Sequence, residues 1–384
     1  MSGLPRSRNW SRRDCFRLLA CGASAAALSQ IPGLSRAAEG PGRLTLAQCQ
    51  AMGPVEMAKS SRIVTEAYDF IQSAAGGIAS PELRRTVLDV LRSPAPSILN
   101  RFRSDADKEE IRRQLVARKL LAGDVTIAQL FPPARDPSTP PQPFLSAPGS
   151  AYNGHHAYPG GLCVHTAFNT RNSLGLAAGY RDTIGIELDH DVILASQLLH
   201  DQHKPWVFQW TADGSLLTEY TVAGTGAHHI LGVAESIHRG LPADVVVAQA
   251  SAHDHPGSPA DEAKTVGYLK AAAIIAGQDP VAAGYLGPDG ATVPLPRHIE
   301  GFLTHLGDHD WVIAGAATGW CVALLQEIAR QDYGLSEKEM GSARFNALRN
   351  YVFSQRSIMG LHELHVTKGR EAVRAAVHDL VIPA

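Results

Sequence analysis

The chain has 384 residues, 45% hydrophobic and 19% charged, with a formal net charge of −2. This is globular composition, long enough for a sizeable core, and it excludes a disordered, collagen-like or disulfide-scaffold chain. The charge is uneven: residues 1–38 hold six arginines against Asp14 alone, which leaves 29 basic and 36 acidic residues in an acidic body that offers no extended nucleic-acid footprint, although a nucleotide or small phosphate ester stays open.

The first segment reads as an address. Ser11-Arg12-Arg13-Asp14-Cys15-Phe16-Arg17 precedes a mildly apolar stretch, Leu18 to Leu28, and Ser35-Arg36-Ala37 supplies small residues for cleavage. That is the order of a signal peptide, and it resembles a twin-arginine export signal over residues 1–37. The resemblance implies the twin-arginine translocation machinery as a partner and a periplasmic or secreted location. The rest of the chain shows no run of about 18 uninterrupted apolar residues, so neither a multi-span protein nor a stable membrane anchor is expected. Cys49, Cys163 and Cys321 are an odd number at wide spacing, which argues against a disulfide framework and leaves room for one bridge.

Residues 38–130 read as a helical region. Val55, Met57, Ile63, Val64, Tyr68 and Ile71 roughly follow helical spacing, Pro81 opens a second helix, and Asp105 to Leu121 forms a third, acidic early and basic late. Residues 131–150 form a proline-rich linker that wraps the surface or leads into a site. Residues 151–287 are again helical, with apolar runs at Val192–Leu199 and Val245–Ala250. Beyond the break at Pro288–Pro296, residues 288–384 form a helical extension with candidate helices at Ile313–Ala329 and Glu337–Phe353. No alternating strand series is visible, so the expected class is all-α.

Eleven of the 17 histidines fall within residues 155–255, beside apolar helical runs. His165 follows a Gly-Gly-Leu turn. His200-Asp201 ends the run Val192–Leu199, His228-His229 precedes Ile230 and Leu231, and His253-Asp254-His255 ends the run from Val245. Burying several imidazoles with a carboxylate is costly unless they are paired or neutralised. A metal ion does this, since neutral imidazole and carboxylate are good ligands for Fe, Mn, Zn and similar ions.

These segments also resemble a known family. His155-His156-Ala157-Tyr158-Pro159-Gly160-Gly161-Leu162-Cys163-Val164-His165-Thr166, then Leu198-Leu199-His200-Asp201-Gln202-His203-Lys204, then Gly226-Ala227-His228-His229-Ile230-Leu231-Gly232, then Ala252-His253-Asp254-His255-Pro256-Gly257 are similar to four successive elements of the HD-domain metal-dependent phosphohydrolases. The branch is that of HD domains joined to 3′–5′ exoribonucleases. The resemblance implies an HD-type helical bundle with additional N- and C-terminal helices. It implies His165, His200, Asp201, His229 and His253 as ligands of one or two divalent ions (Mn, Fe, Mg or similar), with Asp201 bridging if there are two. Catalytic roles fall to Asp201, Lys204 and His203. Lys204 would hold a substrate phosphate, and His203 would bind phosphate, donate a proton or fill space.

The chain departs from the pattern where the family has a last Asp ligand, since Ala273 stands there. Asp279, six residues on, is a possible substitute. One histidine of the His228-His229 pair is expected to point inward, His253 and His255 compete for one role, and His155 and His156 read as turn or supporting residues. His305-Leu306-Gly307-Asp308-His309-Asp310 is a second polar knot, read as a loop, with completion of the site as the alternative. The expected function is an exported phosphohydrolase that cleaves a small phosphate ester or nucleotide by metal-activated water. The alternatives are an HD-type di-iron oxygenase and a degenerate, non-catalytic binding module.

Overall fold

The computed structural model describes residues 42–296 and 298–384; the export-type segment at residues 1–37 lies outside them. Arg43–Ala384 forms one compact unit. Its helices are α1 Leu46–Ala51, α2 Pro54–Ser60, α3 Arg62–Gly76, α4 Pro81–Arg92, α5 Asp105–Ala117, α6 Ile127–Leu130, α7 Gly161–Ile184, α8 His190–Leu199, α9 Lys204–Val207, α10 Ala227–His238, α11 Ala243–Ala250, α12 Pro259–Ala276, α13 Glu300–Gly307, α14 Trp311–Asp332, α15 Ala343–Arg356, α16 Ile358–Lys368 and α17 Arg370–His378. Among the described residues the only sheet is a short antiparallel hairpin, β1 Thr221–Val222 and β2 Thr225–Gly226. The fold is all-α, as the patterning predicts.

Local chemistry sets several helix boundaries. Ser80 caps α4 ahead of Pro81. Ser258 caps α12 by accepting from the Asp261 amide, and Pro259 opens that helix with Asp261 and Glu262 in its first turn. Both starts use a proline where no amide partner is needed and acids where the helix dipole favours them.

Helix α8 is the axis of the core. Every residue from Val192 to Leu199 is buried, and α3, α4, α7, α11 and α13 pack around it. Over that stretch its side chains are apolar but for Ser196 and Gln197, which are hydrogen-bonded to Thr304 and Ser173, and each of its Leu, Ile or Val side chains contributes about 1.5–3 kcal/mol on burial. Its C-terminal end therefore delivers His200-Asp201 to the interior.

The flanking regions are joined to this core. The proline-rich segment runs along it, with Pro132 O accepting from Trp206 Nε1 at 2.9 Å and Ser146 O from Trp210 Nε1 at 2.9 Å. It then leads into the turn that carries His155 and His156. N- and C-terminal helices pack on each other: α15 lies against α1, α2 and α3, and Leu44 bridges Val381. From α15 the buried Arg349 donates to Ala157 O and Tyr152 O, both at 2.7 Å, tying the extension to the same turn. Cys49, Cys163 and Cys321 are free thiols, all buried.

The stretch Glu300–Asp332 is long and apolar enough to cross a membrane by length and composition alone, with mean hydropathy 1.5 and 39% of its apolar window buried. Its later part packs on α15 and α16 through residues such as Cys321, Leu325 and Ile328. Trp311, Val312, Ile313 and Trp320 are exposed.

Candidate metal centre

Five segments converge beside the end of α8. Helix α7 brings His165 from its second turn. A tight entry makes this placement: a Cβ on Gly161 would stand 1.8 Å from His156 O, so the turn closes only on glycine. The end of α8 brings His200 and Asp201. The start of α10, straight after the hairpin, brings His228 and His229. The loop after α11 brings His253. Helix α13 ends in a 3-10 turn, Asp308–Asp310, which brings Asp308. Gly307 is what lets α13 come so close, because a Cβ there would meet Ser173 Oγ at 2.2 Å and Gln197 Oε1 at 2.5 Å.

The carboxylates of Asp201 and Asp308 form the middle of the cluster. His165 Nε2 lies 3.1 Å from Asp201 Oδ2 and 3.1 Å from Asp308 Oδ1. His200 Nε2 lies 3.2 Å and 3.3 Å from the same two oxygens. His228 Nε2 is 3.3 Å from Asp201 Oδ1, and His253 Nε2 is 4.0 Å from Asp308 Oδ2. Lys204 Nζ pairs with Asp201 Oδ2. Asn169, one turn after His165, donates to Asp308 Oδ1 at 2.9 Å.

In each of these four rings the other nitrogen is already engaged. His165 Nδ1 is 3.0 Å from Asp310 Oδ1, and His200 Nδ1 is 2.7 Å from Gln197 O. His228 Nδ1 is 2.5 Å from Glu219 Oε1, and His253 Nδ1 is 2.7 Å from Thr225 Oγ1. Such partners fix ring orientation and leave Nε2 as the inward atom, an arrangement shared by metal-ligating histidines. Glu219 holds His228 twice, since its Oε1 also accepts from the His228 backbone amide at 2.8 Å.

The electrostatics follow from this crowding. Burial alone would push His200 down, but the adjacent Asp201 and Asp308 carboxylates outweigh it and raise the ring to about 9. Burial also opposes charge on His165 and His228, yet Asp310 raises the first and Glu219 the second. Burial would raise the acids, but His200 and Lys204 hold Asp201 well below the usual carboxylate range, and His200 with His165 does the same for Asp308. At His229 burial, with the neighbouring His228, outweighs the Ala250 carbonyl and the Asp201 charge and lowers the ring to about 4.

The donor set fits divalent metal. His165, His200, Asp201 and Asp308 form one buried group and Asp201, His228 and His253 a second, each with its ligand atoms within 4.8 Å of one another. Asp201 is common to both. Neighbouring ligand atoms on one ion at bonds of about 2.1 Å stand roughly 3.0–3.4 Å apart, the spacing at which His165, His200 and His228 stand from the two carboxylates, with His253 further out at 4.0 Å. Apart from the Lys204 ion pair on Asp201 Oδ2, the Asp201 oxygens, His200 Nε2 and His228 Nε2 face one another in the interior without a well-formed hydrogen bond, which a native interior rarely tolerates unless something else satisfies them.

Other residues singled out by sequence lie elsewhere. His229 directs Nε2 to Ala250 O at 3.1 Å and stacks on His253 at 4.1 Å, so of the doublet the ring at Asp201 is that of His228. His203 Nε2 lies 3.3 Å from Glu235, an acid that also accepts from the Ile98 amide and Arg239. His255 stacks with Phe302. Ala273 is fully buried in the apolar core, and Asp279 accepts from the amides of Val281 and Ala282. The polar knot at 305–310 is helical, and through Asp308 and Asp310 it belongs to the cluster. A second observation could have drawn attention to it: three acids and histidines follow Gly307 inside an otherwise apolar stretch.

A cavity of about 260 Å³ opens over the cluster, lined among others by His155, Lys204, Phe208, His305, His309 and Trp311. Larger hollows lie away from it, between α11 and the Pro294–Pro296 loop and along α7; neither contains the cluster residues.

No family model matches the chain, and no solved structure does. Over 212 residues, 55% of this chain and 67% of the relative, the chain is 38% identical to the dihydroneopterin 2′,3′-cyclic phosphate phosphodiesterase of Methanocaldococcus jannaschii. The chain belongs to the family of that phosphodiesterase. This kinship fits a metal-dependent phosphohydrolase, and the buried His/Asp groups are residues that could hold the metal.

Proposed function

We propose that this protein is an exported, HD-type, metal-dependent phosphodiesterase that opens a small cyclic phosphate ester. His165, His200, Asp201 and Asp308 hold one divalent ion, and Asp201, His228 and His253 hold a second. The observation that carries this reading is the set of four imidazoles, each fixed through Nδ1 and each turned by Nε2 onto the buried carboxylates Asp201 and Asp308. The kinship with a cyclic phosphate phosphodiesterase supports the substrate class. The HD-type motifs support the superfamily, and the arginine pair Arg12-Arg13 supports export.

Divalent ions bound there supply Lewis acidity toward the phosphoryl group and acidify a water molecule. The residues of the chain do the rest. Asp201 is shared between the two groups and sets their spacing. Lys204, on the cavity wall beside Asp201, carries the charge that holds a phosphate oxygen. His305 and His309 engage Nδ1 with Ala252 O at 2.8 Å and His305 O at 2.7 Å, which leaves each Nε2 for substrate. In the reaction a P–O bond to water forms and one P–O bond of the ring breaks. The water loses two protons in all, one to solvent or the site and one to the departing alcohol oxygen, and a monoester results.

The test is elemental analysis of mature protein, residues 38–384, purified without oxygen or a histidine tag, followed by phosphorus NMR with a 2′,3′-cyclic nucleotide. Two ions per chain and a chelator-sensitive monoester product are expected. Oxygen uptake with no monoester would move the reading to the oxygenase, and folded protein that takes up no metal would move it to the binding module. Lys replacement of Arg12 and Arg13 should leave the precursor in the cytoplasm.

A further inference from the structure

The cavity over the cluster is small. Ligand pockets that enclose a drug-sized molecule run to roughly 300–1,000 Å³, whereas this one is about 260 Å³. It has room for a phosphate and the alcohol carbons next to it, so the remainder of a larger ester must lie at the mouth.

The mouth is aromatic. Trp311 lines the cavity and is 47% exposed, and its indole N–H donates no hydrogen bond among the described residues. His309 stands beside it with ring centroids 6.1 Å apart and planes tilted by 39°. His305 follows at 4.4 Å from His309, and His255 at 4.7 Å from His305. On the wall, the buried Phe208 ring lies 5.6 Å from His228. An exposed indole is unfavourable in water unless something covers it, and a flat π-system is what it covers best. The polar floor and the aromatic rim belong to one continuous segment: Asp308 reaches the floor, and Trp311 stands three residues further on.

Resting on the phosphodiesterase reading above, we propose that Trp311, with His309 beside it, is the residue that stacks a flat ring on the alcohol part of the substrate at the cavity mouth while the phosphate sits on the floor. Trp311 is thus the specificity-determining residue of the site. It contributes through binding of the ring and not through the ions.

The experiment compares two cyclic esters on metal-loaded protein: 2′,3′-cyclic GMP, which has a ring, and 1,2-propanediol cyclic phosphate, which has none. Wild type should favour the first in kcat/KM. In W311A this preference should fall by roughly 5- to 100-fold, the range for loss of one base-stacking contact, mainly through KM, while W311F keeps most of it. Metal content per chain confirms that the centre is intact. No preference in wild type, or a preference unchanged in W311A, overturns the proposal. Guanosine binding by equilibrium dialysis separates the two readings. Guanosine binding that W311A weakens, with neither ester hydrolysed, keeps the ring site and sinks the phosphodiesterase reading. Hydrolysis of both esters alike, with no guanosine binding, does the reverse, and leaves Trp311 as part of the exposed apolar face of α14.

Discussion

Replacing Asp308 by Ala tests the centre at the point where sequence is least informative. Asp308 Oδ1 stands 3.1 Å from His165 Nε2 and 3.3 Å from His200 Nε2, and with Asp201 it keeps His200 raised from 6.5 to about 9 despite complete burial. At about 1.4 kcal/mol per pKa unit, the two acids together favour the protonated ring by roughly 3 kcal/mol beyond what burial removes. Because the acids also offset the burial penalty, an equal share gives Asp308 at least about 1.5 kcal/mol. In metal-free D308A the His200 titration should therefore move back toward 6.5, readable from its imidazole proton resonance. With metal present the loss should be larger. Removing only an outer partner of a ligand costs roughly 10- to 100-fold in affinity, and a direct ligand should cost at least that. The assay is ion content after dialysis against a graded metal buffer, with circular dichroism to show retained helix and D308N as the isosteric control. D308A that stays folded and binds two ions as tightly as wild type would falsify the assignment.

Ala273→Asp should not supply a missing ligand: the site is fully buried in apolar core, and an unpaired carboxylate there should cost roughly 3–5 kcal/mol; a denaturant midpoint equal to wild type, or a gain in bound metal, would contradict this. His228→Ala should reduce bound metal from two ions toward one, whereas His229→Ala should affect stability more than stoichiometry, and the reverse pattern in elemental analysis would reassign the doublet. In chelator-treated protein, stability should peak near pH 6.5. His200, raised to about 9, holds its proton more tightly when folded, so its contribution is complete below about 6.5 and is lost as pH climbs through 9. His229 and His156, each lowered to about 4 by burial, act oppositely, and their contribution is lost as pH falls below about 6.5. A melting temperature that rises between pH 6.5 and 9 would refute the assignment of sign.

The helical class was legible because its signals are local: Pro81 and Pro259 at helix starts, a largely apolar α8, and no alternating strands. The grouping of His165 with His200-Asp201 was legible because each stands at the mouth or end of an apolar helix, where it must turn inward. The choice between His228 and His229 was not. Successive residues on a helix point about 100° apart, so although both rings are buried only one reaches the carboxylates, and what selects His228 is Glu219, nine residues earlier beyond a hairpin. Asp308 was harder still. It comes 107 residues after Asp201, and its place depends on α13 packing against α7 and α8 over Gly307. Only the packing shows why a glycine must precede the acid. The family position at Ala273 drew attention to α12, which packs as apolar core against α10, while the carboxylate arrived from another helix.

The charge pattern explains why these elements stay together before any ion arrives. Asp201 sits just past the C-terminal end of α8, where the helix dipole already disfavours a negative charge. Asp308, Asp310 and Glu219 add three more acids around it, all lowered from their usual values. Lys204 offsets one of these charges. The others are offset by protons on His165, His200 and His228, the three rings whose pKa is raised. Each of these rings would have to give up its inward proton to ligate metal, so an incoming divalent ion exchanges for protons rather than adding to them. The cluster is thus held closed by protons in the metal-free chain and by cations in the loaded one, with Nδ1 of every ring anchored in both. The helices that present these rings, α7, α8 and α10, need not move between the two states.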